Sequence, residues 1–151
     1  MSKAFFLEDI SVGQRFVGEG SITVSAEEIK AFAAQFDPQP FHLDEDAAQD
    51  SFFGGLAASG WHTAALTMRL LVDGGAPIGS GVIGAGGELT WPRPTRPGDT
   101  LSVETEVMEV VPSRSRPDRG MVTLRTETRN QNGEVLQVAV MKTIAFRRPT
   151  P

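Results

Sequence analysis

The chain contains no cysteine, which excludes disulfide bridges, thiolate metal sites and a cysteine nucleophile together. Histidine is scarce as well, with 2 residues, His42 and His62, so an imidazole-based metal centre lacks the further ligands it would need. Basic residues are outnumbered: 14 Lys and Arg face 19 Asp and Glu, for a net charge of −5. A nucleic-acid partner would require a basic face to neutralise phosphates, and this balance argues against one. Any anionic ligand must therefore find a local cluster of arginines. The opening MSKAFFLEDI reaches Glu8 and Asp9 before any apolar run long enough for a signal peptide or membrane span, so a soluble, cytoplasmic protein with no membrane partner is expected. Internal repeats and linkers are also lacking. The 151 residues make one domain, able to bury roughly two thirds of the surface that the unfolded chain exposes.

What is present is an ordinary core, 40% hydrophobic, arranged as helices first and strands afterwards. Gly13 to Val24 mixes glycine with β-branched and aromatic residues, as an opening strand at a sheet edge would. Ser25-Ala-Glu-Glu28 is a capping box that starts a helix to about Gln35, with Ile29, Phe32, Ala33 and Phe36 on its predicted buried face. LDEDAAQDSFF (43–53) reads as a short acidic helix capped by Asp44 and ended by Gly54 and Gly55. From Gly60 to Val72, GWHTAALTMRLLV is apolar on almost every side and is the predicted central helix, buried within the domain; Asp73-Gly-Gly-Ala-Pro77 stops it. Beyond Val82 four strand segments follow. Leu101, Val103, Thr105 and Val107 alternate with Ser102, Glu104 and Glu106, the period of a sheet with one solvated face. Pro97-Gly98-Asp99 and Asn132-Gly133 supply turns, the latter a strong hairpin signal. The predicted class is α+β with an antiparallel sheet.

Between the first helix and the central one lies FDPQPFH (36–42). Its two prolines bias Asp37 and Gln39 away from helical dihedrals, giving a stiff, extended backbone that aims side chains. On spacing alone, Asp37 reads as a turn residue and His42 as a packed histidine between Phe41 and Leu43. Gly60, by contrast, begins an apolar helix, where a free amide and the helix dipole together favour an anionic oxygen; a plain helix boundary explains it about equally well.

The block FAAQFDPQPFHLDEDAA, followed by Ala58-Ser59-Gly60-Trp61 and by WPRPTRPGD (91–99), resembles the MaoC-like dehydratases, the (R)-specific enoyl-CoA hydratase family of the hotdog fold. The resemblance runs from about Phe6 to Phe146. The family's signature places an aspartate, an Asn-Pro pair, and a histidine five residues after the aspartate; Asp37, Pro40 and His42 match it, and Gln39 replaces the asparagine. The family's oxyanion glycine follows a histidine at a helix start; here Gly60 matches and Ser59 replaces the histidine. The resemblance implies a single hotdog domain over residues 1–151, with the sheet wrapped around the central helix and protomers paired as a homodimer or higher homo-oligomer. Dimerisation is plausible independently, because the edge strands of such a sheet need cover.

The resemblance also implies hydration of an α,β-unsaturated acyl-CoA thioester, or the reverse dehydration, with no metal or redox cofactor beyond the coenzyme A of the substrate. Asp37 and His42 would hold one water between them as acid and base, and the Gly60 amide would stabilise the thioester oxygen. Ser59, Trp61, Arg93 and Arg96 are the candidate substrate contacts, Arg93 and Arg96 toward the anionic coenzyme, with Arg114 and Arg116 behind them. Trp61, Met68 and residues 84–87 are candidates for the acyl pocket by their position near the central helix. Two other readings stay open: an acyl-CoA thioesterase on the same scaffold, and an acyl-CoA-binding module without catalysis. Gly79-Ser-Gly81-Val-Ile-Gly84 fits the letters of a dinucleotide loop, but a helix precedes it and a strand follows, the wrong context for that motif. His62 is assigned a packing role.

Overall fold

A computed structural model describes residues 4–150; the first three residues of the MSKAFFLEDI stretch and Pro151 lie outside the described part. The segment expected as one opening strand forms two short ones, β1 (Arg15–Val17) and β2 (Ile22–Thr23), both paired antiparallel with a later strand at one edge of the sheet. Ser25 then opens α1 (Ala26–Phe36). Its hydroxyl accepts from the Glu28 amide at 3.1 Å while the Glu28 carboxylate accepts from the Ser25 amide at 3.0 Å, the reciprocal pairing of a capping box. Ile29 and Ala33 are fully buried on the inner face. Phe36, expected beside them, is 68% exposed, because it is the last residue of α1 and lies past the packed part of the helix.

Two short helices follow, α2 (Pro40–Leu43) and α3 (Glu45–Gln49), with Pro40 at the first turn of α2, where its missing N–H costs nothing. The Asp44 carboxylate accepts from the Asp46 amide at 2.9 Å and caps α3 as expected, but α3 ends at Gln49, ahead of Gly54 and Gly55, the expected terminators. The central helix is α4 (Gly60–Leu70), capped by Ser59 and continued by a single wide turn at Leu71–Gly75, which the positive φ of Gly74 ends. It is not buried on all sides. Leu70, Thr63, Thr67 and His62 face inward, whereas Trp61, Ala65, Met68 and Val72 form an exposed stripe at helical spacing.

The rest is sheet: β3 (Ile83–Thr90), β4 (Thr100–Pro112), β5 (Arg119–Arg129) and β6 (Val135–Phe146). All pairings are antiparallel and the order is β1-β4-β5-β6-β3, with β2 also on β4. Leu101, Val103, Thr105 and Val107 point into the core, as their alternation requires. A bulge between Val107 and Glu109 interrupts that alternation. Gly133 adopts φ 76° in the β5–β6 connection, the left-handed conformation that the Asn-Gly pair supplies. The core packs Ile29 of α1 and Leu70 of α4 with Leu101, Val107, Val122 and Leu136 of the sheet. Helix α4 packs against β4 and β6, so the sheet wraps the helix as the resemblance implied.

Candidate active site

Asp37 is the C-cap of α1 and departs from helical dihedrals (φ −153°, ψ 66°) directly before Pro38. Gln39 is extended, and Pro40 then restarts the chain as α2, which carries His42 back over the end of α1. The proline-stiffened connection thus brings the two candidate side chains together: His42 Nε2 lies 3.3 Å from Asp37 Oδ2. His42 is 4% exposed. Its Nδ1 lies 2.6 Å from the Ala57 carbonyl, which can only accept, so Nδ1 carries a proton and donates it there. In the neutral ring this leaves the Nε2 lone pair facing the carboxylate. Phe41 and Phe53 pack edge-on and tilted against the imidazole and fix its plane.

The Asp37 carboxyl has its own donors. Gln39 Nε2 donates to Oδ1 at 2.5 Å, and the buried Ser59 hydroxyl donates to the same carboxyl. Burial alone would push the Asp37 pKa up; the hydrogen bonds from Ser59 and Gln39, with the adjoining His42, outweigh it and hold the group below the ordinary carboxylate value. Gln39 and Ser59, which depart from the family's Asn and His, are thus hydrogen-bond partners that favour the carboxylate form of Asp37. Ser59 also accepts from the Trp61 amide at 3.3 Å as the N-cap of α4.

Asp37 and His42 open into a cavity of about 370 Å³, lined also by Phe52, Phe53, Gly60, Trp61, Thr63, Trp91 and Arg93. As the first residue of α4, Gly60 has an amide that no carbonyl of its own helix can accept. Its missing side chain has a structural cause too: a Cβ there would stand 2.7 Å from the Trp91 ring. The indole occupies that space.

The other sequence candidates divide. Trp61 lines the cavity, and Arg93 lines it while pairing with Glu134 at 3.1 Å. The Arg96 guanidinium instead donates to the carbonyls of Gly55 (2.8 Å), Leu56 (3.2 Å) and Phe53, tying down the loop behind His42, and it borders a neighbouring cleft with Asp99 and Asn130. Met68 and residues 84–87 lie outside the cavity, on the exposed stripe of α4 and on β3. Arg114 flanks a separate depression with Val111 and Met121. His62 packs as expected, stacked on Phe32 at 4.6 Å and 4°. Phe53, Thr63 and Trp91 were not singled out as site residues from sequence. For Trp91 the available signal was a bulky aromatic at a strand end, immediately before a proline. Among the described residues no cluster of His, Asp and Glu could hold a metal ion, and no helix is long and apolar enough to cross a membrane.

Comparison with known proteins places this arrangement. A crystallised MaoC-like dehydratase from Rhodospirillum rubrum is 61% identical and superposes with a TM-score of 0.95 over 97% of this chain and 100% of that one. A 3-hydroxybutyryl-CoA dehydratase of Methylorubrum extorquens is 32% identical over 115 residues, 76% of this chain and 71% of the relative. An (R)-specific enoyl-CoA hydratase of Rhodospirillum rubrum is 32% identical over 127 residues, 80% and 78%. The family model described as MaoC like domain matches residues 9–131, from the turn before β1 to the β5–β6 connection. With the sheet, the wrapped helix and this match in agreement, the chain belongs to the MaoC-like dehydratase family of the hotdog fold.

Proposed function

We propose that the protein is a hydratase or dehydratase acting on an α,β-unsaturated acyl-CoA thioester, as the named relatives are. The observation that carries this reading is the 3.3 Å approach of His42 Nε2 to Asp37 Oδ2 in a cavity bordered by the first amide of α4. Two acceptors so close can both accept from one water, leaving an oxygen lone pair free to attack. As that oxygen bonds to the β-carbon, one O–H bond breaks and its proton passes to the Asp37/His42 pair. The π electrons of the double bond move toward the carbonyl, and charge grows on the thioester oxygen, where the Gly60 amide and the α4 dipole stabilise it. The pair then returns its proton to the α-carbon. Dehydration runs the same steps backwards.

Asp37 stays anionic through the neutral range, so it can balance an imidazolium formed beside it. Arg93 at the cavity rim is the cation best placed for the coenzyme's phosphates, and Arg96 supports the loop that carries the apolar wall. A second copy of the chain, paired across the exposed stripe of α4 and the β3 edge, completes the working unit, and the cytoplasm is the compartment where acyl-CoA is at hand.

The test follows the ultraviolet absorbance of trans-2-enoyl-CoAs alongside a free-thiol assay. Loss of absorbance without thiol release is the expected result; thiol release would assign a thioesterase. In Asp37→Asn the rate should fall by on the order of 10²–10⁴ with the circular dichroism spectrum unchanged, and a variant that kept its rate would refute the role of the pair.

A further inference from the structure

Trp91 follows the last residue of β3 and enters the cavity at 40% exposure. Most aromatic side chains on a pocket rim can swing. This one is held at both ends. Its Nε1–H donates to Gln137 Oε1 at 2.9 Å, and Gln137 is 1% exposed. An indole nitrogen can only donate, so it fixes which end of the Gln137 amide faces it. The other end, Nε2, donates to Thr67 Oγ1 at 3.3 Å, and Thr67 donates to the Thr63 carbonyl at 2.9 Å and shares a 2.6 Å hydrogen bond with Thr128. A line of buried polar groups from α4, β5 and β6 thus anchors the indole from behind. From the front its six-membered ring rests on Gly60, in the space a Cβ would need, and Trp61 meets it edge-on with ring centroids 5.7 Å apart.

From this geometry we infer that Trp91, positioned by Gln137, is the fixed wall that limits the acyl chain to short lengths. The inference rests on the reading of the site as an acyl-CoA site. A thioester oxygen at the Gly60 amide and reacting carbons beside Asp37 and His42 send the acyl tail past Gly60, where the indole stands. The cavity, about 370 Å³, lies near the small end of ligand pockets, about 300–1,000 Å³. The wall cannot fold away without leaving a buried amide oxygen of Gln137 unpaired.

The experiment compares wild type, Trp91→Ala and Gln137→Leu on trans-2-enoyl-CoAs of four, six and eight carbons. Binding of butyryl-CoA and octanoyl-CoA, measured by calorimetry, supplies a readout that needs no turnover. One methylene in an apolar pocket changes kcat/KM by on the order of tenfold or more. Trp91→Ala should therefore raise the eight-to-four-carbon ratio of kcat/KM by at least about tenfold. Gln137→Leu, which keeps the indole but frees it, should move the ratio the same way by less. The octanoyl preference in binding should follow. A loss shared equally by all chain lengths in both variants would overturn the wall and leave a merely structural tryptophan. Should Trp91→Ala fail to fold, Gln137→Leu decides by the same ratio. The hydratase reading fails separately: a wild type that turns over no enoyl-CoA, yet whose binding preference shifts on substitution, keeps the wall and loses the reaction.

Discussion

Asp37 is reached by groups of different origin: Gln39 two residues away and Ser59 from the cap of α4 donate to it, and the Nε2 of His42 from α2 faces it. Removing one changes its ionisation in a calculable direction. In Ser59→Ala the upward push of burial remains while a donor is lost, so the Asp37 pKa rises. Because the carboxylate form is the working one, the acidic limb of kcat/KM against pH moves to higher pH in Ser59→Ala. It stays in place in Ser59→Thr, which keeps the hydroxyl. The alanine variant also loses the cap of α4, about 1 kcal/mol of stability, but a cap alone would not move the limb; an unmoved limb would remove Ser59 from the control of Asp37. The aspartate, the histidine and the helix-start glycine stand out from the chain by resemblance, where spacing alone favours a turn residue, a packed histidine and a helix boundary. The function of Gln39 and Ser59 as donors does not, because the distance from Ser59 to Asp37 is set by how α4 meets the end of α1. The same holds for Arg96, whose charge suggested coenzyme but whose guanidinium is committed to three loop carbonyls.

Helices α1 and α4 meet through the stack of Phe32 on His62. His62 is 6% exposed, and its Nδ1 is a buried side-chain polar atom without a partner among the described residues. Desolvation lowers its pKa, with Glu28 pulling weakly the other way. For a histidine whose folded pKa is depressed, the stabilising contribution is complete above the unfolded value of about 6.5 and is lost as pH falls from there toward the folded pKa. Urea unfolding of the wild type should accordingly show stability declining below about pH 6.5, and His62→Leu should decline less over the same window. Equal slopes would mean that His62 is not the group responsible. Local chemistry set the Ser25–Glu28 box, the Asp44 cap and the Asn132-Gly133 turn, all legible in sequence, whereas the Gly54-Gly55 pair did not mark the end of α3, which stops at Gln49. The burial of α4 departs from the expectation because its inward face carries the polar His62, Thr63 and Thr67, the two threonines bonded to Thr95 and Thr128 elsewhere in the chain, while Trp61, Met68 and Val72 point outward.

That outward stripe bears on the whole molecule. Trp61 is 61% exposed, Met68 44% and Val72 64%, and β3 is an edge strand with Ile83 39% exposed. Eight residues of unpaired strand edge and an exposed row of large apolar side chains would each be an aggregation hazard in a monomer. A second copy related by two-fold symmetry would cover both at once, and each substitution at such an interface counts twice. Burying one such side chain contributes roughly 1.5–3 kcal/mol, so placing a carboxylate at Met68 and another at Val72 removes that gain on both protomers and sets like charges against each other. Light scattering should therefore give twice the chain mass for the wild type and a single chain mass for Met68→Glu/Val72→Glu at micromolar concentration. Enoyl-CoA turnover should fall with the dimer, because Trp61 both lines the cavity and begins the stripe. A wild type that runs as a monomer while fully active would show that one chain holds the complete site.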